Sequence, residues 1–246
     1  MKLSEIVSKV FKKNNINQIF CVTGGFAMFL NDSFGNNKQF NIIYQHHEQA
    51  CGYSAIGYTK TSLKPCIVST TAGCGITNTI SCINSAWQDS VPIIFISGQS
   101  KSIDTIANYR DNKNLKLRNI FGSDCDICNI VKDITKYTVE INNKNNILFE
   151  LEKAIYIATT GRKGPVLISI PVDLQGVDLN YNKLPTFKIT EKNQYLDSIN
   201  LIKNVENLYL SSKRPLVLIG GGAYYNKKYK ELIYNFVHKY NIPCVF

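Results

Sequence analysis

A chain of 246 residues, 44% of them hydrophobic and 19% charged, can bury one large α/β domain or one ordinary domain and part of another, which excludes a disordered protein. Lys and Arg number 28 against 18 Asp and Glu, a net charge of +10 that suits anionic ligands. The basic residues are scattered over Lys12-Lys13, Lys101 to Arg118 and Lys227 to Lys230, with no continuous basic stripe interleaved with aromatics, so nucleic acid is not the expected partner.

Most of the eight cysteines sit in apolar or small-residue runs, as Cys21, Cys51, Cys66, Cys74 and Cys82 do, where cysteine acts as a small hydrophobe. Cys125-Asp126-Ile127-Cys128 is a lone CxxC with no second pair for zinc and no strand-to-helix redox context, so no metal site is expected. The first fourteen residues are amphipathic and carry lysines without an apolar signal-peptide core, and no apolar run is long enough to span a membrane. A reducing, cytoplasmic setting is the expectation.

Leu3, Ile6, Val7, Val10 and Phe11 recur at helical spacing and predict a first helix ending near Asn14-Asn15. Ile19 to Val22 reads as a buried strand, joined by Thr23-Gly24-Gly25 to a helix bearing Met28, Phe29 and Leu30. A glycine pair there makes a tight turn or leaves backbone free to approach a ligand. Ile42-Ile43-Tyr44 predicts another buried strand, and from Glu48 to Lys60 the composition switches to small residues. Ala50, Cys51, Ser54 and Gly57 would share one helix face, which predicts close packing at a domain or subunit interface. Glu48 stands in the first turn, where the helix dipole favours an acid even as a plain cap.

Pro65 to Thr70 is the next strand, and Thr71 to Asn78, with Gly73 and Gly75, leads into a helix reaching Asp89. Ile93 to Ser97 forms a strand running into Gly98-Gln99. Small residues and glycines thus gather at the carboxyl ends of strands, the edge where open α/β sheets bind ligands. Ser100 to Asp126 is a polar, aperiodic excursion of the kind that frames a site, and Ile130 to Thr138 shows no clear period. Leu148 to Thr160 is a helix and Val166 to Pro171 a buried strand ended by proline. The alternation predicts an α/β fold with a doubly wound, mostly parallel sheet and helices on both faces.

Residues 176–196 read as a polar linker containing Pro185. Residues 197–246 read as an incomplete second α/β, Rossmann-like unit, in which Gly220-Gly221-Gly222 follows a strand and a final strand comes after one helix. Two strands and two helices cannot bury a doubly wound core, so the expectation is a second domain cut off soon after it starts. The glycines alone do not make a dinucleotide-binding dehydrogenase, since no acidic residue ends the second strand.

Taken together, His47-Glu48-Gln49-Ala50 with Gly57-Tyr58, Thr71 to Asn78, Trp87-Gln88-Asp89-Ser90-Val91-Pro92, Ser97-Gly98-Gln99 and Gly161-Arg162-Lys163-Gly164-Pro165 to Pro171 resemble the amino-terminal half of thiamine diphosphate-dependent enzymes, most closely the acetolactate synthase large subunit. The resemblance implies that residues 1–175 are the pyrimidine-binding domain and 197–246 the start of the central domain. It implies that Glu48 hydrogen-bonds N1′ of the cofactor's aminopyrimidine and so promotes removal of the thiazolium proton, for attack on a 2-oxo acid such as pyruvate. That role asks for a carboxyl group shielded from water by the close-packed helix face. Gln99 matches a glutamine beside the substrate, a neutral donor for a developing alkoxide. Gly24, Gly25, Gly73, Gly75 and Asn78 match positions lining the cofactor or substrate channel.

Three departures accompany the match. The family holds the diphosphate and its Mg2+ on a carboxyl-terminal domain with a Gly-Asp-Gly motif, absent from these residues. Where acetolactate synthases have Phe-Gln-Glu near the substrate, this chain has Gly122-Ser123-Asp124, which puts pyruvate specificity in question. Lys132 stands where the synthases place an arginine against flavin, which counts against FAD. The resemblance implies a truncated or split acetolactate synthase-like protein, dimeric or paired with a chain that bears the diphosphate-binding domain. The alternatives are the pyrimidine-domain subunit of a two-chain decarboxylase of the sulfopyruvate type, and a non-catalytic interaction module.

Overall fold

A computed structural model of the chain describes residues 1–113, 118, 120, 124–189, 195–224 and 227–245. It divides into two compact units, Met1–Phe187 and Lys188–Phe246. In the first, α1 (Leu3–Lys13), β1 (Gln18–Cys21), α2 (Met28–Gly35), β2 (Asn41–Tyr44), α3 (Glu48–Ser62) and β3 (Cys66–Thr70) are followed by α4 (Cys74–Thr77), α5 (Ile80–Gln88) and β4 (Ile93–Gln99). Then come α6 (Ile106–Lys113), α7 (Ile127–Val131), β5 (Tyr137–Glu140), α8 (Ile147–Thr159), β6 (Val166–Pro171) and α9 (Val172–Gln175).

The six strands form one parallel sheet in the order β2-β1-β3-β4-β6-β5. Alternation along each strand sorts side chains to two cores, because successive residues point to opposite faces. Ile94 and Ile96 join α1, α2 and α8 on one side; Ile93 and Phe95 join α3, α5 and α7 on the other. This is the doubly wound architecture with helices on both faces.

The chain steps outward from β1 to β2 and then returns across β1 to β3, so the winding reverses between β1 and β3. Connections leave the carboxyl ends of those strands in opposite directions, and a crevice opens there. Gly24 follows β1 and Thr71 follows β3 at that reversal.

Two local expectations change. β2 reads as buried from Ile42-Ile43-Tyr44, yet it is the edge strand, with Ile43 and Tyr44 exposed, because nothing pairs with its outer side among the described residues. β5, which lacks a hydrophobic period, is the opposite edge, half-buried along its length and, among the described residues, paired only to β6.

Residues 176–187, read from composition as linker, pack on the first unit. The Leu3 N–H donates to Val177 O and the Leu179 N–H to Met1 O, both at 2.9 Å, and Phe187 meets Phe149 edge-on at 5.6 Å. In the second unit α10 (Tyr195–Ser211), β7 (Val217–Leu218), α11 (Gly221–Tyr224), α12 (Lys227–Tyr240) and β8 (Cys244–Val245) build a two-stranded parallel sheet. Leu201, Ile202, Val205, Leu208, Leu218 and Leu232 are exposed, as a pair of strands too small to close a core leaves them.

Candidate functional site

Glu48 is placed by the ends of β1 and β2. The Gln45 N–H donates to Cys21 O at 2.9 Å, extending the ladder one residue past β2, and His47 then caps α3 by accepting the Gln49 N–H on Nδ1 at 3.2 Å. The carboxylate of Glu48 therefore stands at the head of a fifteen-residue helix beside the winding reversal.

Its Oε2 accepts a hydrogen bond from Asn78 Nδ2 at 2.9 Å, which ties the start of α3 to the break between α4 and α5. The other oxygen faces Gly75, where an added Cβ would lie 3.4 Å from Oε1 and 2.7 Å from Thr71 Cγ2. A Cβ on Gly24 would come within 2.5 Å of Thr71 Cβ, so the loops after β1 and β3 both need glycine to approach the same threonine. Thr71 Oγ1 is buried and has no hydrogen-bond partner among the described residues, a polar atom left over beside the carboxylate.

Of the positions expected to line this site, Glu48, Asn78, Gly75 and Gly24 come together. Gly73 shapes the turn into α4 with a positive φ of 63°. A Cβ added to Gly25 would meet nothing within 4 Å, and Gly25 starts the 3-10 turn Gly25–Ala27. Thr71 was missed by sequence reasoning; a threonine among small residues carries no signal until the strands are ordered.

Glu48 is half-buried rather than shielded within the protomer. The face expected to exclude water splits in two. Cys51, Gly52 and Ala55 pack inward against α5, and Gly52 has no room for a side chain, since an added Cβ would lie 1.9 Å from Cys82 Sγ. Ala50 and Gly57 face outward and are exposed. The 3.6-residue period puts Cys51 about 100° and Ala55 about 140° away from Ala50, enough to separate inside from outside.

Gln99 ends β4 and is 2% exposed. Its Oε1 accepts the Ser100 N–H at 2.9 Å, and its Nε2 donates to Cys125 O at 2.9 Å and to Glu140 Oε2 at 3.4 Å. No hydrogen bond joins it to Glu48 among the described residues, and its donor is engaged by Cys125 and Glu140. Asp124, the described member of the Gly122-Ser123-Asp124 segment, accepts the Ile106 N–H at 2.7 Å; Gly122 and Ser123 lie outside the described residues. Lys132 is exposed in the turn Lys132–Ile134.

Burial pushes the Glu140 carboxyl up to about 7, aided by the nearby Asp126 and Asp124 and opposed by the hydrogen bonds from Gln99 and Thr105. Its ordinary value is 4.5, so the folded state holds the proton more tightly than the unfolded chain. The contribution is complete below pH 4.5 and is lost as pH rises through about 7, by at most about 3 kcal/mol. Denaturant unfolding should show stability falling across that window, and Glu140→Gln should flatten the fall. An unchanged slope in the variant would assign the loss to other groups, with Asp124, also raised by burial, the first of them.

A doubly wound sheet with a carboxylate, a glycine-lined crevice and an unpartnered hydroxyl at its winding reversal defines a small-molecule-binding α/β domain. Residues 1–126 match the family model of the thiamine pyrophosphate enzyme N-terminal TPP binding domain, and the chain belongs to that family. It is similar to the acetolactate synthase large subunit of Haemophilus influenzae, 30% identical over 249 residues covering 98% of this chain and 40% of that protein. It is also similar to the mitochondrial acetolactate synthase catalytic subunit of Saccharomyces cerevisiae, at 28% over 232 residues, 89% of this chain and 31% of that protein. The chloroplastic acetolactate synthase of Arabidopsis thaliana is 27% identical over 231 residues, 90% of this chain and 32% of that protein. The chain thus spans about two fifths or less of the length of these relatives. No helix among the described residues is long and apolar enough to cross a membrane, and no group of three or more His, Cys, Asp or Glu among them is placed to hold a metal ion.

Proposed function

We propose that residues 1–175 bind the aminopyrimidine end of thiamine diphosphate, in an acetolactate synthase-like reaction that decarboxylates a 2-oxo acid such as pyruvate and joins the product to a second one. Residues 197–246 are then the start of a central domain. The observation that carries this reading is Glu48, set at the winding reversal with one oxygen anchored by Asn78 and the other turned toward the space left by Gly75.

The residues present fit the group. A carboxyl oxygen beside a position without a side chain suits a ring nitrogen that donates or accepts a proton, and Thr71 Oγ1 supplies a spare donor or acceptor nearby. Thiamine diphosphate, when bound, supplies a nucleophilic carbon and an electron sink for decarboxylation. Glu48 holds and exchanges a proton at Oε1 while Asn78 keeps Oε2 in place, and the glycines at 24 and 75 let backbone lie close to the ligand. Gln99, fastened to Cys125 and Glu140, positions the segment after residue 124 and offers its amide to the substrate only by exchanging one of those bonds.

The diphosphate and its Mg2+ are assigned to a diphosphate-binding domain outside residues 1–246, on the same or another polypeptide, in a homodimer or a heteromer. Support comes from Glu48 being half-exposed and from exposed Tyr44 and Tyr53 on the elements that hold it, a surface for a second domain to cover. Eight free thiols suit a reducing, cytoplasm-like compartment. FAD is not part of the proposal.

Calorimetric titration of thiamine diphosphate with Mg2+ into the chain, alone and mixed with the diphosphate-binding half of a relative, tests the reading. Binding heat and pyruvate decarboxylation are expected only in the mixture. Silence in both, from a chain shown to be folded, would overturn the proposal and leave a non-catalytic module.

A further inference from the structure

Cys74 and Cys125 lie far apart in sequence and close in space. Cys74 opens α4, directly after Gly73, and is exposed to solvent. Cys125 precedes α7, is partly buried, and directs its Sγ at Gly73 O, 4.0 Å away. That oxygen belongs to the peptide unit linking Gly73 to Cys74, and planarity places it about 2.8 Å from Cys74 Cα. Cys125 Sγ is therefore within about 7 Å of Cys74 Cα, so closing a disulfide takes a side-chain rotation together with a backbone shift of a few ångström in the Gly73–Gly75 turn.

We infer that Cys74 and Cys125 form a reversible thiol-oxidation site, in which the exposed Cys74 meets a small disulfide or peroxide oxidant and Cys125 resolves it into an intramolecular disulfide. With oxidised glutathione the steps balance. The Cys74 thiolate attacks one sulfur, forming a mixed disulfide and expelling one glutathione thiolate. The Cys125 thiolate then attacks the Cys74 sulfur and expels the second. Two protein thiols are oxidised, one glutathione disulfide is reduced, and the two protons pass to the released thiols.

Cys128 is the competing partner for Cys125, three residues on, but it sits in α7 with its thiol pushed up by burial and by Glu140. Cys51, Cys66 and Cys82 are buried in the core, away from a soluble oxidant. Cys125 is itself raised to about 11, by burial first and then by Asp124, with Asp126 and Cys74 adding to it and the bond to Gly73 opposing. Resolution should thus be slow near neutrality and accelerate several-fold per pH unit up to that value.

The linkage would tether the Gly73–Gly75 turn, which lies against Glu48, to the segment that fastens Gln99. Its consequence for cofactor binding rests on the proposed function, whereas the bond itself does not.

The test is to incubate the full chain with oxidised glutathione at pH 8, alkylate free thiols, digest with trypsin and map disulfides by mass spectrometry. The expected product links the peptide of residues 61–101 to that of residues 119–132, with fragmentation assigning Cys74 and Cys125. It should be lost in Cys74→Ser and in Cys125→Ser, be retained in Cys82→Ser, and close faster at pH 9 than at pH 7. A disulfide confined within residues 119–132, or a mixed glutathione disulfide on Cys74 that never resolves, would overturn the inference. The wild-type map decides even if a serine variant fails to fold. Thiamine diphosphate binding by the oxidised chain, in the mixture used above, then reports separately on the consequence at Glu48.

Discussion

On the proposed function, replacing Glu48 with glutamine is expected to lower pyruvate decarboxylation by the chain mixed with a diphosphate-binding half between about a hundred-fold and ten-thousand-fold, the range a positioned proton-transfer group contributes. The variant keeps the size of the side chain and an oxygen able to accept the 2.9 Å bond from Asn78, so α3 should start where it does now. What it removes is an oxygen that can take up and release a proton. Stability should fall only slightly, by about 0.3–1 kcal/mol for a lost negative charge in a first helical turn. Asn78→Ala makes the complementary change, keeping the carboxylate and removing its anchor, and should cost about tenfold, the order of one net hydrogen bond. Steady-state decarboxylation with thermal melts of each variant checks both. If Glu48→Gln turned over at the wild-type rate, Glu48 would be a helix-start acid and nothing more.

The second large effect is on folding. Gly98→Ala is expected to destabilise the first unit by about 3 kcal/mol, lowering its melting temperature by roughly 6–12 °C. Gly98 lies in β4 opposite Ile170 of β6, one residue past the end of the β3 pairing at Ser97, so the sheet restrains its backbone. A methyl group there would stand 2.1 Å from Phe26 O and 2.8 Å from Ala27 N, backbone atoms with no rotamer to escape into. Phe26 O also accepts a bond from Gln175 Nε2 at 2.8 Å, and Gln175 is wholly buried, so displacing the turn breaks that anchor too. Gly25→Ala, in the same turn but with open space for a methyl group, should leave the melting temperature within about a degree, as surface changes usually do. Equal losses in the two variants would mean that general strain in the Gly25–Ala27 turn, not the approach of Phe26 to β4, decides the outcome.

Much of the fold was legible because its signals are local. The run Ile93 to Ser97 and the recurrence of Leu3, Ile6, Val10 and Phe11 announce a strand and a helix wherever the chain goes, since side-chain direction follows from backbone periodicity alone. The strand β5 was not legible. Tyr137-Thr138-Val139-Glu140 sits at a sheet edge where half-burial leaves no apolar run to recognise, and its place beside β6 rather than β4 comes from a long-range pairing. The same limit applies to Gly98: an isolated glycine in a strand hints at close backbone approach, but the approaching atom is 72 residues earlier.

Glu48 itself stood out in the sequence through the motif around it and the change from β-branched to small residues. By itself the sequence determined that this is an alternating α/β chain, that its glycines lie at strand ends, and that an acid opens the small-residue helix, because each of these depends on neighbours within one turn or one strand. Only the tertiary structure decided that β1 and β3 adjoin at the winding reversal, that Thr71 is the residue on which Gly24 and Gly75 both close, and that Asn78 rather than a close-packed face holds the carboxylate. Those facts depend on which strand lies next to which, a choice made by burying two cores at once and therefore absent from any local stretch of sequence.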